Sequence, residues 1–124
     1  MQLKADLHAH TFFSGDGVSS PEELVQEARA RGLHVVALTD HNTCDAVEYC
    51  LRKGLMNEEG TPVDGILLIP GVEVSTSAGH LLCIGATLPE MIGACPKEVC
   101  EAIHAVNGLA VAPHPFDAFR SGIR

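Results

Sequence analysis

The order of β-type and helix-type segments constrains this chain more than any other feature. LKADLHAH (residues 3–10) alternates, with Leu3, Ala5, Leu7 and Ala9 on one face and Lys4, Asp6, His8 and His10 on the other, the period of a half-buried strand. After the turn-rich FFSGDGVS, the stretch SPEELVQEARARG offers Ser20 as N-cap, Pro21 at the first helical position and Glu23 to complete a capping box. Leu24, Val25 and Ala28 supply its apolar stripe and Gly32 its stop. LHVVALTD (33–40) predicts a second strand, and Asn42 or Thr43 can cap a second helix running toward Gly54. A polar loop, MNEEGTPVDG, precedes the third strand, ILLIPGVEVS. Then the rule changes. No helix fits between GVEVSTSAG and HLLCIG, so residues 71–85 predict a hairpin turning at Thr76–Gly79, with Glu73 opposite His80 and their Cβ atoms about 5 Å apart. PKEVCEAIHAVNG follows as a helix with Val99, Ala102, Ile103 and Val106 on one face and Gly108 as its stop, and LAVAPHP (109–115) is the fifth strand.

Strand–helix units in this order predict an α/β fold, a parallel sheet or barrel with its functional groups at the carboxyl ends of the strands. The 124 residues suit one domain, 1–124, with no internal repeat or linker, and 46% hydrophobic against 19% charged residues is a globular balance. A formal charge of −8 opposes the attraction that drives binding to duplex nucleic acid. No apolar run approaches the roughly 20 residues of a membrane helix, and the N-terminus lacks a basic segment leading into a long apolar one. These features predict a soluble, cytoplasmic protein. Five cysteines without a CxxC pair indicate neither a disulfide framework nor a zinc ribbon; Cys44, Cys50 and Cys83 are expected to pack in the core.

On the predicted scaffold, His8 and His10 end the first strand, Asp40 and His41 the second, Glu73 lies near the end of the third, and His114 ends the last. The hairpin returns His80 to the same mouth as Glu73, and Asp16 sits in the loop after the first strand. Such imidazoles and carboxylates, without cysteine, suit Zn²⁺, Mn²⁺ or Fe²⁺ rather than calcium or a thiolate cluster. Asp6 and Asp40 are expected to accept imidazole N–H groups behind the metal-binding residues. His34 and His104 are expected to be solvated.

The motifs DLHAHT, GDG, TDHN, GVEVS, GHLLCIG and APHP, in this order, resemble the PHP (polymerase and histidinol phosphatase) superfamily across nearly the whole chain. The resemblance implies a distorted TIM-like (β/α)7 barrel, a centre of two or three divalent ions and hydrolysis of phosphoesters. It is nearest the small stand-alone phosphoesterases acting on nucleotides or short oligonucleotides. By motif, His8 and His10 would bind one metal, Glu73 would bridge two, His80 and His114 would bind the second, and Asp16 with His41 the third. The family's further Asp-x-His pair has no counterpart after His114, and the full barrel takes about 250 residues. About five strands are expected here, as the N-terminal part of such a protein or a shortened relative.

Two cations about 3.5–4 Å apart would activate water for in-line attack on phosphorus and neutralise charge on the phosphoryl oxygens. In that reading Glu73, His80 and His114 serve catalysis by holding the metals. Arg120 is the local candidate for a phosphate clamp. Two other readings remain at this point: a catalytically silent metal-binding module, and carbon–nitrogen hydrolysis, in which a carboxylated lysine usually stands where Glu73 does. A terminal strand left at a sheet edge is open to association with a second copy, a homo-oligomer, or else to poor solubility.

Overall fold

The computed structural model describes residues 3–14 and 19–113. Its elements run β1 (Ala5–Ala9), α1 (Pro21–Ala30), β2 (Val35–Leu38), α2 (Asp45–Lys53), β3 (Leu67–Ile69), β4 (Gly71–Thr76), β5 (Gly79–Ile84), α3 (Pro96–Ala105) and β6 (Leu109–Val111). The first three strands form a parallel sheet in the order β1-β2-β3, and the last three an antiparallel sheet in the order β4-β5-β6. The α/β character and the parallel first half follow expectation. Among the described residues the sheets do not close into a barrel, and there are six strands where five were expected. The extra strand comes from ILLIPGVEVS, which divides at Pro70 into β3 and β4 in different sheets. Proline has no N–H to donate to a ladder.

Helix α1 forms as its sequence dictates. Ser20 accepts from the Glu23 amide at 3.1 Å, and Glu23 accepts from the Ser20 amide at 2.9 Å. At the other end Gly32 (φ +71) lets Gly32 N–H reach Arg29 O and Leu33 N–H reach Ala28 O, a Schellman closure. In α2 the N-cap is Cys44 rather than Asn42 or Thr43, although Thr43 Oγ1 accepts from the Asp45 amide. In α3 the left-handed position falls on Asn107 (φ +60), one residue before Gly108.

Three apolar groups organise the fold. Val25 and Ala28 of α1 and Val47 and Cys50 of α2 pack on Ala9, Val36, Leu38 and Leu68. Val99 and Ile103 of α3 pack on Val72, Val74, Leu81 and Cys83. Between the sheets, Ala37, Leu82 and Ile84 form a small inner group with Ile69 against it. Alternation then places Glu73 and His80 on the inner side, because their neighbours Val72, Val74 and Leu81 face α3. Each sheet therefore carries helices on its outer face and shares an inner face with the other.

Candidate metal centre

The sheets meet at the end of β2. Thr39 N–H donates to Ala9 O at 2.8 Å, Glu73 N–H to Asp40 O at 2.8 Å and Asn42 N–H to Glu73 O at 2.9 Å, and His41 bridges Glu73 in parallel fashion. Asn42, in the left-handed region at φ +58, spans the junction: its Oδ1 accepts from the Ser75 amide at 2.8 Å and its Nδ2 donates to Ser75 Oγ at 3.1 Å. Sequence reading saw only a helix cap there. Asparagine's tolerance of the left-handed region was the available signal.

Strand β1 is irregular. Ala5 and Asp6 lie level with Val35 and Val36, but Ala9 is level with Leu38, so one extra residue lies between Asp6 and Ala9. Such a bulge reverses side-chain parity. Asp6 therefore shares the helix side with Val36, and His8 and His10 turn to the inner face. The expectation that Asp6 lines up with these histidines and holds an imidazole is corrected. Its Oδ1 instead accepts from the His8 backbone amide at 3.0 Å, which supports the bulge. Asp40 does not take the imidazole-holding role either: its carboxylate accepts from the Thr11 amide and from the hydroxyls of Thr11 and Ser14.

Glu73, 1% exposed, is the centre of the inner face. Its Oε1 lies 2.8 Å from His8 Nε2, 3.2 Å from His10 Nε2 and 3.6 Å from His41 Nδ1, and its Oε2 lies 3.1 Å from His80 Nδ1. The expected direct pairing of Glu73 with His80 is corrected by the register, in which Glu73 opposes Leu82 and Ser75 opposes His80; the two meet diagonally on the same face. Rings of His10 and His41 stack at 4.6 Å, flanked by His8 at 5.0 Å from His10 and His80 at 5.4 Å from His41. Burial pushes the Glu73 carboxyl up, but hydrogen bonding to His10 and His8 and the nearness of His8 and His41 outweigh it and hold it at about 2.

The donors fall into two groups that share Glu73: His8, His10 and Glu73, and His41, Glu73 and His80, each with ligand atoms within 4.8 Å of one another. Nε2 of His8 and Nε2 of His10 are 3.1 Å apart and both face Oε1 of Glu73. Two imidazoles and a carboxylate with their ligand atoms this close together suit a borderline divalent ion. His41, expected with Asp16 in a third group, stands with Glu73 and His80. Asp16, His114 and Arg120 lie outside the described residues. His104 is exposed as expected, whereas His34 is half-buried and its Nδ1 accepts from the Lys4 amide at 3.1 Å. Cys50 and Cys83 are buried and Cys44 half-buried, in the core groups expected of them.

The PHP domain family model matches residues 6–112. The chain belongs to the PHP family. A protein of Methanocaldococcus jannaschii known as MJ1587 is 36% identical over 126 residues, covering 92% of this chain and 68% of that protein. A 5'-3' exoribonuclease of Haemophilus influenzae is 44% identical over 77 residues, covering 62% of this chain and 25% of the exoribonuclease. A Bifidobacterium adolescentis protein proposed to be a metal-dependent phosphoesterase is 32% identical, with a TM-score of 0.48, over 66% of this chain and 27% of its own. The PHP chain thus spans about a quarter of the exoribonuclease. No helix among its described residues is long and apolar enough to cross a membrane.

Proposed function

We propose that this PHP chain carries a divalent-metal centre and serves the hydrolysis of phosphomonoesters or phosphodiesters of nucleotides or short oligonucleotides. The observation that carries the reading is Glu73, a buried carboxylate shared by two imidazole groups on the inner face. His8 and His10 would hold one ion and His41 and His80 another, with Glu73 between them; Asp16 and His114 are proposed to join these spheres on family grounds. Bound divalent ions would supply Lewis acidity, lowering the pKa of a nearby water and neutralising charge on the phosphoryl group. The chain's own residues do the rest. The bulge in β1 aims two imidazoles inward, the bridge at His41 sets a third, and the β4–β5 hairpin sets the fourth. The Glu73 side chain is 1% exposed, beneath imidazoles that are 23% to 35% exposed, so the shared carboxylate is shielded while the donors stay open to an incoming group. Arg120 is the proposed phosphate clamp. The likeness to the exoribonuclease supports a nucleotide-type substrate.

The test is to purify the chain without chelator, count bound metal by elemental analysis, and assay p-nitrophenyl phosphate and nucleotides with Mn²⁺. Stoichiometric metal that falls with His8→Ala plus His10→Ala, together with turnover, is the expected result. Sub-stoichiometric metal that this double substitution leaves unchanged removes the metal centre. Tight uptake with no turnover on any phosphoester removes the hydrolase and leaves a metal-binding module.

A further inference from the structure

Asp40 is 1% exposed and, among the described residues, forms no ion pair with a lysine or arginine. An uncompensated buried carboxylate is costly unless its oxygens are fully engaged. Here the partners come from one short segment. Oδ1 accepts from the Thr11 amide and from Ser14 Oγ at 2.7 Å, and Oδ2 accepts from Thr11 Oγ1 at 2.7 Å. Thr11 and Ser14 are themselves buried. Thr11 follows His10 directly, so fixing its amide fixes the peptide plane on which β1 ends.

The same residue reaches the second sheet through its main chain. Asp40 O accepts from the Glu73 amide at 2.8 Å, and the next residue, His41, forms the parallel bridge to Glu73. One aspartate thus touches the segment carrying His10, the segment carrying His41 and the strand carrying Glu73.

We propose that Asp40 is a positioning residue for the metal centre: its carboxylate locks the turn after His10 while its carbonyl locks Glu73, so that donors from the two sheets are held in register before any ion arrives. The inference rests on the reading of the site as a metal centre. A carboxylate suits the position because three donors converge on its two oxygens. An asparagine would turn an NH₂ group toward at least one of those donors, so that bond must break or the Thr11 hydroxyl must reverse and give up its own donation.

The test compares Mn²⁺ and Zn²⁺ binding by isothermal titration calorimetry for the full chain and for Asp40→Asn, with folding checked by circular dichroism. Affinity should fall by about 10- to 100-fold, the size of effect seen when a group supporting a metal-binding residue is lost. Thr11→Val, which removes the hydroxyl donor to Asp40 together with the acceptor for the Phe13 amide, should fall less and in the same direction, and it stands in if Asp40→Asn does not fold. Ile103→Val, a change in the core under α3, should bind as the unsubstituted chain does, separating positioning from general loss of stability. Unchanged affinity in folded Asp40→Asn, or an equal fall in Ile103→Val, overturns the inference. If the unsubstituted chain binds no ion, the proposed function fails separately. Positioning is then judged by hydrogen exchange at the Thr11 amide, which should be slow in the unsubstituted chain and at least about tenfold faster in the Asp40→Asn or Thr11→Val protein; equal rates overturn it.

Discussion

Four imidazoles around one buried carboxylate make Glu73 a hub, and the residue types near it show how local surroundings divide similar groups into different roles. Asp40 is as buried as Glu73, yet hydroxyls and an amide surround it, so it braces the backbone while Glu73 faces the donors. The thiols provide a contrasting case. Burial pushes Cys50 from 9.0 to about 12 and Cys83 to about 11, with weaker contributions from nearby charges. A folded-state value raised above the unfolded one gives stability that is intact below about pH 9. It is lost as pH climbs from there toward the folded values, because the unfolded chain releases protons the folded chain keeps. The slope is at most about 1.4 kcal/mol per pH unit for each thiol. Urea unfolding at pH 8 and pH 10 should show a steeper loss in the unsubstituted protein than in Cys50→Ala; equal losses would contradict the assignment.

At the scale of elements, the bulge in β1 turns a repeating Asp-x-His-x-His pattern into two inward imidazoles and one outward carboxylate. Asp6 supports it as an acceptor for the His8 amide, a task an amide side chain performs as well as a carboxylate. Asp6→Ala should therefore cost about 1 kcal/mol, the usual net worth of one hydrogen bond, while Asp6→Asn should stay close to the unsubstituted protein in the same urea titration. Loss of equal size in both would mean the charge matters and the backbone account is wrong. The bulge was invisible beforehand because strict alternation of residue types is what a regular strand also displays. The split at Pro70 was hidden for a related reason. ILLIPGVEVS reads as one apolar run, and its division into two sheets depends on how closely β4 approaches β5. A Cβ on Gly71 would sit 2.4 Å from Cys83 O. By contrast, the capping box of α1, the hairpin and the convergence of His8, His10, His41, Glu73 and His80 at one mouth were readable, because local capping chemistry and strand-end position determine them. The diagonal relation of Glu73 to His80 follows from that same turn: with Thr76 paired to Gly79, Ser75 stands opposite His80 and Glu73 opposite Leu82.

For the whole molecule, the question is what holds two small sheets together when, among the described residues, the apolar group between them is Ala37, Leu82 and Ile84 with Ile69 beside it. So little inner apolar surface makes the polar stitches at the end of β2 structurally important, and the candidate metal donors sit on both sides of that seam. Asn42 crosses it with two hydrogen bonds to Ser75 and a left-handed backbone. Its two contributions can be separated. Asn42→Gly keeps the backbone conformation accessible and removes the stitch; leaving the Ser75 amide without its acceptor should cost about 1–3 kcal/mol. Asn42→Ala removes the stitch and adds left-handed strain of about 1–2 kcal/mol. If bound ions span the seam, Mn²⁺ at about 100 times its dissociation constant should add about 2.7 kcal/mol to the unsubstituted chain and less to either variant, whose donors are no longer held in register. Urea midpoints with Mn²⁺ and with a chelator measure both effects. A metal increment as large in Asn42→Gly as in the unsubstituted chain would show that the seam and the centre are independent, and that the sheets are held in register by something other than the Asn42–Ser75 stitch.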